Sequence, residues 1–85
     1  MLFLCMNVFI TGISSGMGRA LARQLLLEGH AVWGIARRGE ELALFAAEMA
    51  TERLRTTVCD VQDHDACRAL VETMRTIGWI PDVVV

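Results

Sequence analysis

Apolar residues along the chain follow two alternating spacings. Short runs rich in β-branched and aromatic residues are typical of buried strands, whereas apolar residues that recur every three or four positions are typical of amphipathic helices. The predicted strands cover residues 6–10, 31–35, 54–59 and 82–85, and the first predicted helix covers residues 17–28. One helix follows each of the first three strands. This alternation predicts an α/β fold with a doubly wound parallel sheet, of which residues 1–85 form a part.

The helical stripes predict which side chains face the core. The first stripe contains Met17, Leu21, Ala22, Leu25 and Leu26, the second Leu42, Phe45, Ala46 and Met49, and the third Cys67, Leu70, Val71, Met74 and Ile77. Asp63 precedes the third stripe and is expected to cap that helix. His30 follows the first helix and is expected on the surface. Trp33 and Trp79 are expected to pack in the core or at its edge.

Composition and charge exclude several classes of partner. The chain carries eight basic and ten acidic residues, a formal net charge of −2. It therefore lacks the excess of positive charge that favours binding to nucleic acid or to an anionic membrane. The first apolar stretch is too short for a membrane span and lacks the basic start of a signal peptide. The three cysteines have no C-x-x-C spacing, which favours reduced cytoplasmic thiols over a disulfide framework or a metal site.

A glycine-rich segment connects the first strand to the first helix. Gly12, Gly16 and Gly18 have the spacing in which one glycine permits a sharp turn, one permits close approach of a pyrophosphate, and one permits close packing of the helix. Backbone N–H groups at the helix start, with the hydroxyl groups of Ser14 and Ser15, are the predicted donors to that anion. Met17 lies in the same turn. The alternative is a glycine-rich turn without a ligand; a Walker loop is excluded because it needs a Lys.

The sequence from Thr11 to Ala22, TGISSGMGRALA, resembles the cofactor signature of the classical short-chain dehydrogenases/reductases. The resemblance runs from about residue 6 to the last residue and implies the N-terminal, nucleotide-binding part of a Rossmann-like fold. Residues 81–85 resemble the fourth strand of that family. Relatives continue from this strand with Asn-Asn-Ala-Gly and then with the catalytic Ser and Tyr-x-x-x-Lys residues.

Arg37 and Arg38 follow the second predicted strand, where a dinucleotide-binding sheet faces the adenosine ribose. A guanidinium can bind a 2′-phosphate through paired hydrogen bonds, whereas a carboxylate would repel it. The arginine pair resembles that of the NADP-preferring members and favours NADP(H), with NAD(H) possible. The alternative is two solvated arginines before a helix.

Asp60 and Val61 follow the third predicted strand. The resemblance implies that the carboxylate of Asp60 accepts a hydrogen bond from the adenine amino group and that the backbone of Val61 lies against the ring. A turn or capping role is the alternative for Asp60.

The resemblance implies the cofactor-binding segment of an NADP(H)-dependent oxidoreductase that interconverts an alcohol and a ketone or aldehyde. It also implies a small-molecule carbonyl or alcohol substrate for the full-length protein, and a homo-oligomer. This chain contains no Tyr and no Lys, so it offers no catalytic residue and is expected to be inactive alone. The alternative is a non-catalytic dinucleotide-binding or structural fragment.

Overall fold

The strands and helices of the computed structural model, which describes residues 5–13 and 16–85, alternate as the sequence predicts. The elements are β1 (Asn7–Thr11), α1 (Gly16–Leu27), β2 (Ala31–Ala36), α2 (Gly39–Met49), β3 (Leu54–Val58), α3 (His64–Ile77) and β4 (Val83–Val84). Within these described segments the strands form one parallel sheet in the order β3-β2-β1-β4. The predicted α/β class with a parallel sheet is therefore confirmed.

The central strand β1 has β2 on one side and β4 on the other. Val8 pairs with Val32 of β2 and with Val83 of β4. Beyond the end of β4, the N–H of Val85 donates to the carbonyl of Phe9 at 2.8 Å. The first and last strands are therefore neighbours, and β4 lies at one edge of the sheet.

Alternate residues of the strands build two cores, one on each face of the sheet. On one face, Ile10 and Val32 pack with residues of α1 and α2, among them Leu26 and Phe45. On the other face, a second cluster contains Trp33, Ile35, Cys59, Leu70 and Met74, the last two from α3. The chain thus places α1 and α2 opposite α3, as right-handed crossovers on either side of β1 require.

The first-helix prediction was wrong at Met17, whose side chain is 89% exposed. The buried face of α1 instead runs through Ala22 and Leu26, which share a line with Gly18 at intervals of four residues. A methyl group on Gly18 would lie 2.5 Å from the carbonyl oxygen of Gly12. The close approach along this line turns Met17 away from the sheet.

The third-helix prediction was partly wrong. Leu70 and Met74 are buried, but Val71 is 51% and Ile77 49% exposed, because only one narrow line of α3 faces the sheet. The cap is confirmed: the Oδ1 atom of Asp63 accepts a hydrogen bond from the N–H of Ala66 at 3.1 Å.

His30 is buried, contrary to the surface position expected for it. Its Nδ1 atom accepts a hydrogen bond of 3.1 Å from the backbone N–H of Met6, the residue just before β1. The imidazole therefore satisfies a main-chain donor at the start of the sheet. Trp33 is buried as expected, and its ring meets Trp79 edge-on with centroids 5.3 Å apart.

None of the helices described here has both the length and the apolar character needed to cross a membrane.

Candidate cofactor-binding site

A cleft of about 680 Å³ opens at the carboxyl ends of β1, β2 and β3. It is lined by Thr11 and Gly12 after β1, by residues 35–38 at the end of β2, by Glu41 of α2, and by residues 59–62 after β3. In a parallel sheet the carboxyl ends of all strands lie at the same end of the sheet. Strands β2 and β3 lie on one side of β1 and β4 lies on the other, so the strand order switches at β1. Such a switch point is the usual ligand position in open α/β folds. Three separate predicted segments thus share one cleft.

The glycine loop leaves open space at the positions where a ligand would approach. Gly12 has a φ of 68° and Gly16 a φ of 61°, and within the described residues no atom beyond the adjoining backbone lies within 4 Å of a Cβ built on either residue. Backbone conformation therefore explains the need for glycine at position 12, where a sharp turn is expected. The open surface above Gly16 agrees with the close approach expected at that residue.

Two of the predicted pyrophosphate-binding residues, Ser14 and Ser15, lie outside the described residues. Met17 stands in the first turn of α1, where its side chain is solvent-exposed. The backbone N–H groups of this turn carry the positive end of a helix of 12 residues. Such helix starts attract anions.

Ile13 is the residue of this loop that sequence reasoning missed. Its side chain is fully buried, and its N–H donates to the carbonyl of Ile35 at 3.1 Å. The side chain packs on Gly34 of β2, where a Cβ would lie 2.7 Å from Cγ2 of Ile13. The available signal was an isolated branched apolar residue in an otherwise polar and glycine-rich loop. Ile13 thereby fastens the loop to the sheet.

Arg37 and Arg38 both line the cleft and both are exposed. The Nη1 atom of Arg38 lies 4.0 Å from Oε1 of Glu41, which also lines the cleft. Within the described part of the chain, Arg37 forms no ion pair. One guanidinium therefore stands beside a carboxylate, and the other has no such competitor for an anion.

Asp60 forms the turn that its alternative role predicted, and it also lines the cleft. Its Oδ1 atom accepts a hydrogen bond from the N–H of Gln62 at 2.9 Å. This turn leaves Oδ2 as the second acceptor of the carboxylate. Val61 is 54% exposed and lines the same wall of the cleft.

Cys59 lies at the inner end of this wall. Burial raises the pKa of the Cys59 thiol above its ordinary value of 9.0, and a hydrogen bond with Cys67 raises the pKa further. The neutral thiol of Cys59 is therefore favoured. Of the residues that the structure describes, no three His, Cys, Asp or Glu side chains are grouped as metal ligands.

Comparisons with known proteins agree with this geometry. A profile of the short chain dehydrogenase family matches residues 6–80. The NADPH-dependent pterin aldehyde reductase of Arabidopsis thaliana is 38% identical over 81 residues, which cover 93% of this chain and 33% of that protein.

The strands and helices of this chain superpose on part of the Rossmann-like fold of solved short-chain dehydrogenase structures. A short-chain dehydrogenase from Streptomyces avermitilis superposes with a TM-score of 0.85 at 30% identity, over 95% of this chain and 30% of the other. The closed form of a serine dehydrogenase complexed with NADP⁺ superposes with a TM-score of 0.85 at 25% identity, over 93% of this chain and 32% of the other. The chain thus spans about a third of the length of these relatives.

Proposed function

Because the chain belongs to the short-chain dehydrogenase family of oxidoreductases, we propose that it is the NADP(H)-binding N-terminal segment of one such enzyme. The whole protein would interconvert an alcohol and a ketone or aldehyde. The observation that carries the proposal is the cleft shared by Gly12 of the glycine loop, the two arginines after β2 and the turn after β3. These three segments match three parts of one dinucleotide: pyrophosphate, adenosine ribose and adenine.

The glycine loop fits a diphosphate. The space above Gly12 and Gly16 is open, and the start of α1 directs N–H groups and a partial positive charge to the same end of the sheet. Gly12, Gly16 and Met17 would bind the diphosphate through the backbone, together with Ser14 and Ser15. Gly18 would keep α1 close to the loop.

The arginine pair supports NADP(H) over NAD(H). Arg37 and Arg38 bring two positive charges to the cleft, and Glu41 brings one negative charge. A 2′-phosphate would bind between the guanidinium groups through charge-assisted hydrogen bonds. A bare 2′-hydroxyl would gain less from two cations. The relative whose name states NADPH dependence is in keeping with this preference.

The turn after β3 would hold the adenine. Asp60 has Oδ2 as an acceptor for the adenine amino group, while Oδ1 keeps the turn in place through Gln62. The exposed side chain and backbone of Val61 offer a surface for the ring. The turn role and the adenine role of Asp60 are therefore compatible.

When bound, the cofactor supplies hydride transfer. The residues of this chain would bind and orient it. Because the chain has no Tyr and no Lys, we assign it no proton-transfer step, and binding without catalysis is the role proposed for these 85 residues alone. A small-molecule carbonyl or alcohol substrate, a homo-oligomeric assembly and a cytoplasmic location are proposals for the whole protein.

Calorimetry with a charge-reversed pair tests this function. Arg37→Asp with Arg38→Asp should weaken NADPH binding about tenfold or more, since each charge-assisted hydrogen bond is worth about 1.5–3 kcal/mol. NADH binding should change little or improve. Arg68→Asp with Arg75→Asp, two exposed arginines of α3, gives the same change in net charge as a matched control.

The control pair should leave the ratio of NADPH to NADH affinity unaltered. An unchanged ratio in the Arg37 and Arg38 variant would refute the assignment of the 2′-phosphate site. Absence of binding of either nucleotide to the unmodified chain would refute the binding function itself.

A further inference from the structure

Two cysteines eight residues apart in the sequence meet behind the turn of residues 59–62 that follows β3. The Sγ atoms of Cys59, after β3, and Cys67, in α3, lie 3.8 Å apart. Within the described residues neither thiol is part of a disulfide. The crossover from β3 to α3 brings them together, although their eight-residue separation matches no redox or metal motif in the sequence.

Both sulfur atoms contact the main chain of the turn that lines the cleft. Each thiol lies 3.7 Å from the carbonyl oxygen of Asp60, and the thiol of Cys67 lies 3.7 Å from the carbonyl oxygen of Val61. The two thiols thus contact the peptide that carries the proposed adenine-binding groups. A change in the distance between the sulfur atoms, through rotation of the cysteine side chains or movement of the first turn of α3, alters the contacts of both thiols with this turn.

The two thiols differ in exposure. Cys59 is 5% exposed and lies within the core cluster beneath α3, whereas Cys67 is only partly covered. A small oxidant reaches Cys67 first, and Cys59 is then the nearest thiol. This division is the arrangement of an oxidised cysteine with a resolving partner.

We propose that Cys59 and Cys67 form an oxidation site, at which a peroxide converts the dithiol to a disulfide and thereby weakens binding of the nucleotide in the adjoining cleft. The sulfur of Cys67 attacks one oxygen of hydrogen peroxide; the O–O bond breaks, and a sulfenic acid and one water form. The sulfur of Cys59 then attacks the Cys67 sulfur, the S–O bond breaks, and the departing hydroxyl leaves as a second water with the Cys59 proton. Two thiols lose two electrons and one peroxide is reduced to two waters.

Forming the bond changes contacts at the cleft. A disulfide has a sulfur–sulfur distance of about 2.05 Å, so the two sulfur atoms must come roughly 1.8 Å closer than in the reduced protein. Because both sulfurs contact the Asp60 carbonyl, closing this distance alters both contacts with the peptide that joins Asp60 to Val61. The loss of one hydrogen bond to the nucleotide would correspond to about a tenfold weaker affinity. This second step rests on the proposed function; the formation of the disulfide does not.

Mass spectrometry tests the modification on the full chain with Cys5→Ser, which removes the third thiol. After stoichiometric hydrogen peroxide and alkylation with iodoacetamide, the tryptic peptide of residues 56–68, which contains both cysteines, should be lighter by two hydrogens and unalkylated. Dithiothreitol should reverse both changes. Adding Cys67→Ser or Cys59→Ala leaves one thiol and should abolish the bridged peptide, with circular dichroism confirming that each variant is folded. A peptide that remains fully alkylated, or is bridged only between two chains, would overturn the proposal.

Calorimetry with NADPH tests the consequence for the cleft. The oxidised Cys5→Ser protein should bind about tenfold more weakly than its reduced form, with recovery after dithiothreitol. The variant that also carries Cys67→Ser should show no such peroxide-dependent loss. Equal affinities of the bridged and reduced forms would overturn the coupling. If the reduced form binds no NADPH while the bridge still forms, the proposed function and the coupling fail and the oxidation site stands.

Discussion

Replacing Gly34 with Ala should destabilise the fold because the new methyl group would enter the volume that Ile13 fills. The ideal Cβ would stand 2.7 Å from Cγ2 and 2.8 Å from Cβ of Ile13, inside the 3.0 Å limit below which atoms must shift. Overpacking of this kind costs about 1–3 kcal/mol. The φ angle of Gly34 is not positive, so Ala gains about 0.4–1 kcal/mol from the reduced freedom of the unfolded chain. The expected net loss therefore lies between about zero and about 2.6 kcal/mol.

A double-mutant cycle isolates the contact. Ile13→Ala alone empties a fully buried site and should cost about 2–5 kcal/mol. In that background the contacts with Cγ2 and Cδ1 are gone and only the 2.8 Å contact with the Cβ kept at position 13 remains, so Gly34→Ala should cost less than it does in the unmodified chain. The coupling between the two positions should therefore be about 0.5–2 kcal/mol in favour of the double variant.

Urea denaturation followed by far-ultraviolet circular dichroism measures all four proteins. Gly39→Ala is the matched control, because its Cβ would meet Val58 at 3.1 Å and no atom of Ile13. It should show the same effect with and without Ile13. An equal cost of Gly34→Ala in both backgrounds would refute the view that Ile13 fastens the glycine loop to the sheet.

Three further predictions concern acidic residues. Glu41→Gln, which removes the carboxylate beside the proposed phosphate site, should strengthen NADPH binding about two- to fivefold with a smaller effect on NADH; calorimetry showing equal effects would contradict competition for Arg38. Asp63→Ala should lower the free energy of unfolding by about 0.5–2 kcal/mol and Asp65→Ala by less than about 0.5 kcal/mol, so equal losses in urea would contradict the helix cap. Hydrogen bonds from two arginines of α1 lower the pKa of Glu48 below its ordinary 4.5, so its contribution is present above the unfolded pKa and lost as pH falls through the folded one. Unfolding at a series of acidic pH values should show a shallower loss for Glu48→Gln, and parallel curves would contradict this linkage.

Much of the proposed site follows from the order of the elements. In a parallel sheet all carboxyl ends lie at one edge, so the residues after β1, β2 and β3 must be neighbours once the strand order is known. Hydrophobic spacing was enough to place Gly12, Arg37 and Asp60 after successive strands. The cleft that holds all three is the structural counterpart of that inference. The roles assigned to them with a bound nucleotide stay predictions.

Side chains at the ends of elements could not be placed in this way. Spacing indicates which residues share a helix face, but it does not show how far the face is covered or how closely the helix approaches. Met17 continues an apolar stripe and is exposed, whereas Ile13 belongs to a loop and is fully buried. Met17 is exposed because α1 approaches the sheet along Gly18, and Ile13 is buried because Gly34 leaves room for its side chain.

The chain's amino-acid order alone determined the alternating elements, the parallel sheet and the cap at Asp63, because these depend on local periodicity and on backbone hydrogen bonding. Only the tertiary structure decided that His30 is buried against the start of β1 and that Cys59 meets Cys67. Such contacts join elements through sheet register and helix approach. Those distances are set by packing among many side chains at once, and no single stretch of sequence encodes them.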